Sequence, residues 1–386
     1  MKKELKATCD IADWQDLSPS QKMAKTLRAS EDPVYFWAEP TLGNYPLWPA
    51  KEQIIRDFYT KEKSGRRIYN ELWMQTGRGG GKTTILSHIG GYEFFRLNIL
   101  EDPQKYYQLG VNTEIQIINA APKYEQAKDT IFAKFKEIMR NSPYLMSQDF
   151  EYIGEKIKFT EKNISFQPFG SNSSTAVGRN VKAFLADEVS KFTDAEGRRN
   201  AKAIWDELSG STRRFRKFNE DVNCAIANPS YYGDFITSEI AKLKELEIKG
   251  VLIVELATWD LDPKVTRADF AELERRDPEA FMRLYGGQPS EEVERFFSEA
   301  VMERIRPKIR DNNWFGPNGR ILDITKIRQE PGAMGYLISV DPSAKIDTFG
   351  LSVGHFFRDF KVKIDGTTSF IKEKGQKLID VGPVKS

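Results

Sequence analysis

The stretch ELWMQTGRGGGKTTILSHIGGYEFF, residues 71–95, decides the fold. Glu71 to Thr76 is a short apolar run that reads as a strand, and Lys82 to Leu100 carries a helical pattern. Directly between them lies QTGRGGGKTT, Gln75 to Thr84. That context is what a phosphate-binding loop requires. Backbone N–H groups of the loop and helix start surround a β-phosphate, Lys82 reaches the β- and γ-oxygens, and Thr83 coordinates Mg²⁺. Gly77, Gly79, Gly80 and Gly81 let the backbone come close to the phosphates. The strict pattern G-x-x-x-x-G-K-[ST] has glycine where this chain has Thr76, so the loop is a variant. The expected ATP-binding set is Thr76, Gly77, Arg78, Gly79, Gly80, Gly81, Lys82, Thr83 and Thr84. A glycine-rich turn ahead of a helix is the plain alternative.

Such a loop needs a carboxylate on a neighbouring strand, and AFLADE supplies one. Asp187 would hold the hydrated Mg²⁺, and Glu188 would act as general base on the water attacking the γ-phosphate. An acidic pair at a strand end also serves as a helix cap. Two arginines could stabilise charge on the γ-phosphoryl group: Arg78 inside the loop, in cis, and Arg179, from TAVGRNVKAFLADE, toward a neighbouring subunit. Each could equally be a solvated surface residue. VNCAIANPS, 222–230, reads as an apolar strand ending in Asn228 and Ser230, polar groups suited to sensing the γ-phosphate, or as a buried strand followed by an Asn-Pro turn. Gln53, in WPAKEQ, could meet the adenine edge. In STRRFRKF, 211–218, Arg213, Arg214, Arg216 and Lys217 alternate with Phe215 and Phe218. Such a mixture can contact phosphates and stack on bases, and it also occurs on ordinary amphipathic surfaces.

Around these motifs the chain of 386 residues has length for two to three domains. Hydrophobic residues make up 40% and charged residues 30%, which fits packed cores and excludes a mostly disordered chain. Lys plus Arg number 58 against 56 acidic residues, so any basic surface is local. Cys9, Cys224, His88 and His355 cannot build a structural zinc site, and their scarcity fits a reducing compartment. No stretch approaches the ~20 apolar residues of a membrane span. Residues 1–48 read as a helical N-terminal segment ending in EPTLGNYPLWP. Residues 49–257 alternate strands (71–76, 114–120, 182–187, 222–227 and 251–257) with helices (82–100, 124–140 and 237–248), the pattern of a parallel sheet flanked by helices. KIKF and ISFQPF, within 156–169, read as a hairpin inserted into it. Residues 258–333 read as a small helical linking subdomain. Residues 334–386 begin a new sheet, with strands at 336–341 and 349–357.

The loop GRGGGKTT, the Arg-Asn segment leading into LADE, the strand ending ANPS, FMRLYGGQPS followed by RFF, and SVDPSAKIDTFGLSV together resemble the large subunit of tailed-bacteriophage terminases. The resemblance covers most of the chain from about Trp48. It implies an α/β P-loop ATPase domain with Walker A and Walker B motifs, a linking subdomain, and the start of an RNase H-like nuclease. It places Arg78, Lys82, Thr83, Asp187 and Glu188 on ATPase positions and Arg179 near a subunit-spanning arginine. Asp341 falls on the first metal-binding carboxylate of the nuclease, and Asp347 near a recurring Asp. ATP and Mg²⁺ are the implied cofactors, with Mg²⁺ or Mn²⁺ at the nuclease. Double-stranded DNA, the portal protein, the small terminase subunit and further copies in a ring are the implied partners, without a membrane, in the host cell cytoplasm. Only the first nuclease strands are legible before Ser386, so the chain is expected to package DNA without independent nuclease activity. A helicase-like P-loop ATPase acting on nucleic acid without a capsid is the alternative.

Overall fold

The computed structural model describes residues 13–171, 179–193 and 200–290, together with the backbone of the strands at 333–341, 349–357 and 362–370. The chain divides into two compact units, 1–293 and 294–386.

The first unit is an eight-stranded sheet, β1 (Glu71–Thr76), β2 (Ile115–Ala121), β3 (Glu151–Ile153), β4 (Lys156–Phe159), β5 (Ile164–Gly170), β6 (Val181–Asp187), β7 (Val222–Ala227) and β8 (Val251–Leu256), in the order β3-β4-β5-β2-β6-β7-β1-β8. From β5 to β8 every pairing is parallel, while β4 runs antiparallel to β5, and β3 to β4. The 156–169 segment is thus a hairpin, inserted between the edge strand β3 and the parallel part of the sheet. Its second strand, β5, joins the parallel sheet beside β2.

The central strands are apolar on both faces, as a sheet covered on two sides requires. Successive residues go to opposite sides. Leu72 and Met74 of β1, Ala183 and Leu185 of β6, and Cys224 and Ile226 of β7 belong to one core. Trp73, Phe184, Ala186, Ala225 and Ala227, the residues in between, belong to the other. The first core is covered by the helix that follows β1 and by a helical stretch from Tyr124 to Asn141, which contains one π-helical turn at Lys128–Phe132. The second is covered by helices Ala201–Gly210 and Phe235–Glu245 through Ile204, Trp205, Leu208, Ile236 and Ile240.

The N-terminal segment is helical, with α1 (Pro19–Glu31) and α2 (Pro33–Ala38), followed by α3 (Pro49–Phe58). Ser18 and Gln21 form a capping box at the start of α1, and Asp32 caps α2. The line drawn at Trp48 is not a packing boundary. Trp14, Ala29, Phe36, Trp37 and Leu42 share one core with the sheet, and Phe36 stacks on Phe95 with centroids 4.3 Å apart. Each large side chain fully buried there contributes roughly 1.5–3 kcal/mol relative to exposure.

The helix after β1, α4 (Lys82–Ile99), carries Glu93, which is fully buried. Glu93 pairs with Lys182 of β6 at 2.6 Å, and with Arg67 and Arg96 at 3.5 Å each. Burial alone would raise the Glu93 pKa, but these three cations hold it down at about 2.

Beyond β8, short helices at Thr258–Leu261, Ala271–Arg276 and Pro278–Leu284 belong to the first unit; residues 291–332 of the expected linking subdomain lie outside the described residues. The second unit contains β9 (Ala333–Asp341), β10 (Phe349–Phe357) and β11 (Val362–Phe370), an antiparallel sheet in the order β11-β10-β9. β11 was not anticipated from the sequence.

Candidate active site

The parallel strands place their C-terminal ends along one edge of the sheet, and there the loop after β1, Asp187 at the end of β6, and Asn228 just past β7 come together. The acidic strand is not β1's neighbour, as the sequence suggested. β7 lies between them, bringing Asn228 between the loop and the carboxylates.

Gly81 caps α4 with φ 83°, a left-handed conformation that glycine adopts without a Cβ penalty. Gly77 is required by close approach: a Cβ there would overlap the Tyr285 carbonyl oxygen and the Thr258 hydroxyl. The segment after β8 clasps the loop. Gly77 N donates to Leu256 O at 3.2 Å, Arg78 N to Leu284 O at 2.6 Å, and the Thr258 hydroxyl to Arg78 O at 2.6 Å. The Gln75 amide donates to Gly287 O at 3.1 Å.

Lys82 is 8% exposed, and its ammonium donates to Asn228 Oδ1 at 2.5 Å and to Gly77 O at 3.3 Å. Burial lowers its pKa, opposed by the nearby carboxylates of Glu188 and Asp187. Asn228 donates its amide to Thr76 O at 2.8 Å, so one side chain ties the loop's first residue to its lysine. Thr83 and Thr84 lie in the first turn of α4; the Thr84 carbonyl takes a hydrogen bond from His88 Nδ1 at 2.6 Å.

Asp187 is 4% exposed, and burial, with Glu188 adjacent, pushes its pKa up to about 6. Glu188 has φ 53° and ψ 42°, a left-handed backbone costing a non-glycine residue about 1–3 kcal/mol. Its carboxylate pairs with Lys191 at 2.8 Å. Arg78 is exposed, and its side chain bonds to no described residue.

The remaining expectations divide. Ser230 sits beside Asn228, but its backbone is engaged: N donates to Asp234 Oδ2 at 2.6 Å, and O accepts from the Ser290 hydroxyl at 2.9 Å. Gln53 is exposed on α3 and donates to Asp57 at 2.7 Å instead of approaching the loop. Arg179 precedes β6, a strand roughly 20 Å long, so it lies at the sheet edge opposite Asp187. There it lines a cleft of about 450 Å³ with Asn180, Asp206, Glu207, Arg213 and Arg214. Arg214 donates to Asn180 at 2.6 Å, Arg216 to Asp221 at 3.1 Å, and Lys217 to Gln108 at 2.7 Å. Phe215 is fully buried and cannot stack on a base; Phe218 is half-buried against Tyr106. Asp341 ends β9, and Asp347 lies outside the described residues. Sequence reasoning missed Lys51, in the first turn of α3 and 5% exposed, whose ammonium lies against Gly81.

The donor set fits a nucleoside triphosphate with its divalent ion. It offers loop and helix-start N–H groups and a buried ammonium for phosphate, and a hydroxyl at Thr83 with a carboxylate at Asp187 for the metal. Among the described residues no cluster of three or more His, Cys, Asp or Glu forms a self-sufficient metal site, so the ion would be held jointly with phosphate.

Sheet, loop, intervening strand and acidic strand end define a P-loop NTPase. The chain belongs to the family described as uncharacterized protein MJ0330, N-terminal P-loop domain, whose model matches residues 28–286. Uncharacterized protein MJ0330 of Methanocaldococcus jannaschii is 24% identical over 245 residues, covering 59% of this chain and 42% of that protein. The chain therefore spans less than half the length of this relative. Among solved structures it is similar to the large terminase of bacteriophage HK97, at 16% identity and TM-score 0.49, over 86% of this chain and 66% of that one. It is also similar to the large terminase of a thermophilic bacteriophage in complex with ADP, at 13% identity and TM-score 0.45, over 84% and 69%. No helix among the described residues is long and apolar enough to cross a membrane.

Proposed function

We propose that the chain hydrolyses ATP at this site and works as the motor subunit of a DNA-packaging terminase, moving double-stranded DNA into a procapsid. The observation carrying the ATPase reading is Lys82, buried in the loop and held by Asn228, with Asp187 and Glu188 close enough to stabilise its charge. The motor reading rests on the sequence motifs shared with terminase large subunits.

Thr76 to Thr84 would cradle the phosphates, with Thr83 and Asp187 holding Mg²⁺. When bound, Mg²⁺ neutralises charge on the phosphate oxygens. Glu188, next to Asp187 at the strand end, accepts the proton of the attacking water. The water oxygen bonds to the γ-phosphorus as the bond to the β-bridging oxygen breaks. Asn228, between γ-phosphate and loop, couples the nucleotide state to β7 and, through Ser230, to Ser290. Arg78 supplies charge in cis. Arg179, at the opposite sheet edge, would serve only a neighbouring copy, in a ring on the portal protein with the small terminase subunit and in the host cell cytoplasm. Asp341 would be the first metal carboxylate of an RNase H-like nuclease, holding Mg²⁺ or Mn²⁺.

The test is Glu188→Ala, which should keep nucleotide binding and lose about 10²-fold or more in hydrolysis; unchanged turnover would remove Glu188 as the base. Stimulation of ATPase by portal and double-stranded DNA supports the motor. Stimulation by single strands alone, with unwinding, supports a helicase. Metal-dependent plasmid cleavage lost in Asp341→Ala would add nuclease activity.

A further inference from the structure

We propose that Lys51 is a second phosphate-binding ammonium of the nucleotide site, set on the Gly81 side of the loop to take the α- or β-phosphate. The inference rests on the nucleotide-binding reading above and adds a residue to it.

Lys51 comes from α3, not from the loop, and is 5% exposed. Its ammonium packs against Gly81 closely enough that a Cβ there would overlap it, with the Thr84 hydroxyl 3.7 Å from the same point. Gly81 and Thr84 belong to the start of α4, where N–H groups without helical partners point outward and favour anions. The ammonium also lies over the Trp48 ring, 4.0 Å from its centroid.

Among the described residues Lys51 makes no hydrogen bond and no ion pair. Asp262 supplies only a longer-range attraction that partly offsets burial. The side chain is buried while the ammonium at its tip keeps contact with solvent and has no protein acceptor, so its N–H groups are open to a ligand. A polyphosphate lying along the α4 N-terminus would supply the acceptors. The division of labour follows from placement. Lys82 is held on the Asn228 side, beside Asp187 and Glu188, where the γ-phosphate is expected. Lys51 is held on the Gly81 and Thr84 side, toward the phosphates nearer the ribose. Gln53 points to solvent on the same helix, whose buried residues are Lys51, Ile54, Ile55 and Phe58.

Because its ligand is the α- or β-phosphate, Lys51 should matter equally for ADP and ATP. Titration calorimetry of the full chain with Mg-ADP and Mg-ATPγS should show Lys51→Met weakening both by about tenfold or more, with Lys51→Arg restoring much of the loss. Wild-type affinity in Lys51→Met overturns the inference, as does weakening of Mg-ATPγS alone. Lys82→Ala is the companion. If it abolishes binding while Lys51→Met does not, the nucleotide site stands and only the Lys51 assignment falls. If the unaltered chain binds neither nucleotide, the reading of the site falls with it. Should Lys51→Met not fold, an ADP-bound structure of the unaltered chain decides: the ammonium within about 3 Å of an α- or β-phosphate oxygen is expected, and its absence there overturns the assignment.

Discussion

Asn228 holds Lys82. Its Oδ1 accepts from the lysine at 2.5 Å while its Nδ2 donates to Thr76 O at 2.8 Å, so the strand between the loop and the acidic residues fixes the position of the loop's cation.

Asn228→Ala removes both bonds at once. A backbone carbonyl loses its donor, and a mostly buried ammonium loses its nearest acceptor. The expected cost is about 1–3 kcal/mol in denaturant unfolding, with ATP turnover falling more than nucleotide affinity. Turnover and stability both at wild-type level would mean the contact has no role.

Gly77→Ala forces a Cβ into the Tyr285 carbonyl and the Thr258 hydroxyl. Backbone on one side leaves little room to yield, so we expect a loss of about 1–3 kcal/mol and a much weaker nucleotide complex. Gly210→Ala, with open space around the added methyl, is the control and should leave the melting temperature and nucleotide affinity nearly unchanged.

Glu93 serves Lys182, Arg67 and Arg96 from a fully buried position. Removing one partner of such a set leaves uncompensated charge, and Lys182→Met should cost about 3–5 kcal/mol. Glu93→Gln should cost at least as much, because three cations lose their shared carboxylate. Urea titrations would read both, and a change under about 1 kcal/mol in Glu93→Gln would contradict the network's role.

Acid should act on two buried groups in sequence. Burial holds His88 at about 3, below its usual 6.5, and the surrounding cations hold Glu93 at about 2, below 4.5. In both cases the unfolded chain binds more protons between the two values, so stability rises with pH. The His88 contribution is complete above pH 6.5 and fades as pH falls toward 3; the Glu93 contribution fades from 4.5 toward 2. Melting temperature against pH should therefore decline below about 6.5, and His88→Gln should flatten the upper part of that decline. A variant curve parallel to wild type would exclude His88 as its cause.

Phe215 is core, so DNA contact by the 211–218 segment would be made by charge. On the proposed motor reading with DNA gripped by this segment, Arg213→Ala and Arg214→Ala should each weaken double-stranded DNA binding and lower the salt slope by about one, while leaving DNA-free ATPase activity unchanged. An unaltered salt slope in both would move the DNA surface elsewhere.

Much of the site is legible in the sequence because it is local. Gln75 to Thr84 carries its own geometry in its glycines, and Asp187 and Asn228 each stand at the end of an apolar run bounded by turn residues. The order of strands was not legible: periodicity says that 222–227 is a buried strand, but not that it lies between β1 and β6. Nor did spacing reveal that residues before Trp48 pack into the ATPase core, since a Phe or Trp on a short helix looks the same whether it meets its own segment or a distant sheet. Lys51 was hidden for the same reason, because its neighbour Gly81 is thirty positions away in sequence and only the tertiary fold joins them. Gln53, two residues on, has the side-chain type that suits an adenine edge, but the rotation of α3 turns it to solvent and buries Lys51 instead.

The clasp formed by Leu256, Thr258, Leu284 and Gly287 bears on where this protein can be cut. A fragment ending at residue 257 would keep all eight strands of the large sheet and every residue of the glycine-rich loop, yet lose most of the groups that brace the loop from outside. A fragment that keeps the loop braced therefore has to run through Gly287 at least, and one ending at 257 should have a loop held from outside by little more than Leu256 O.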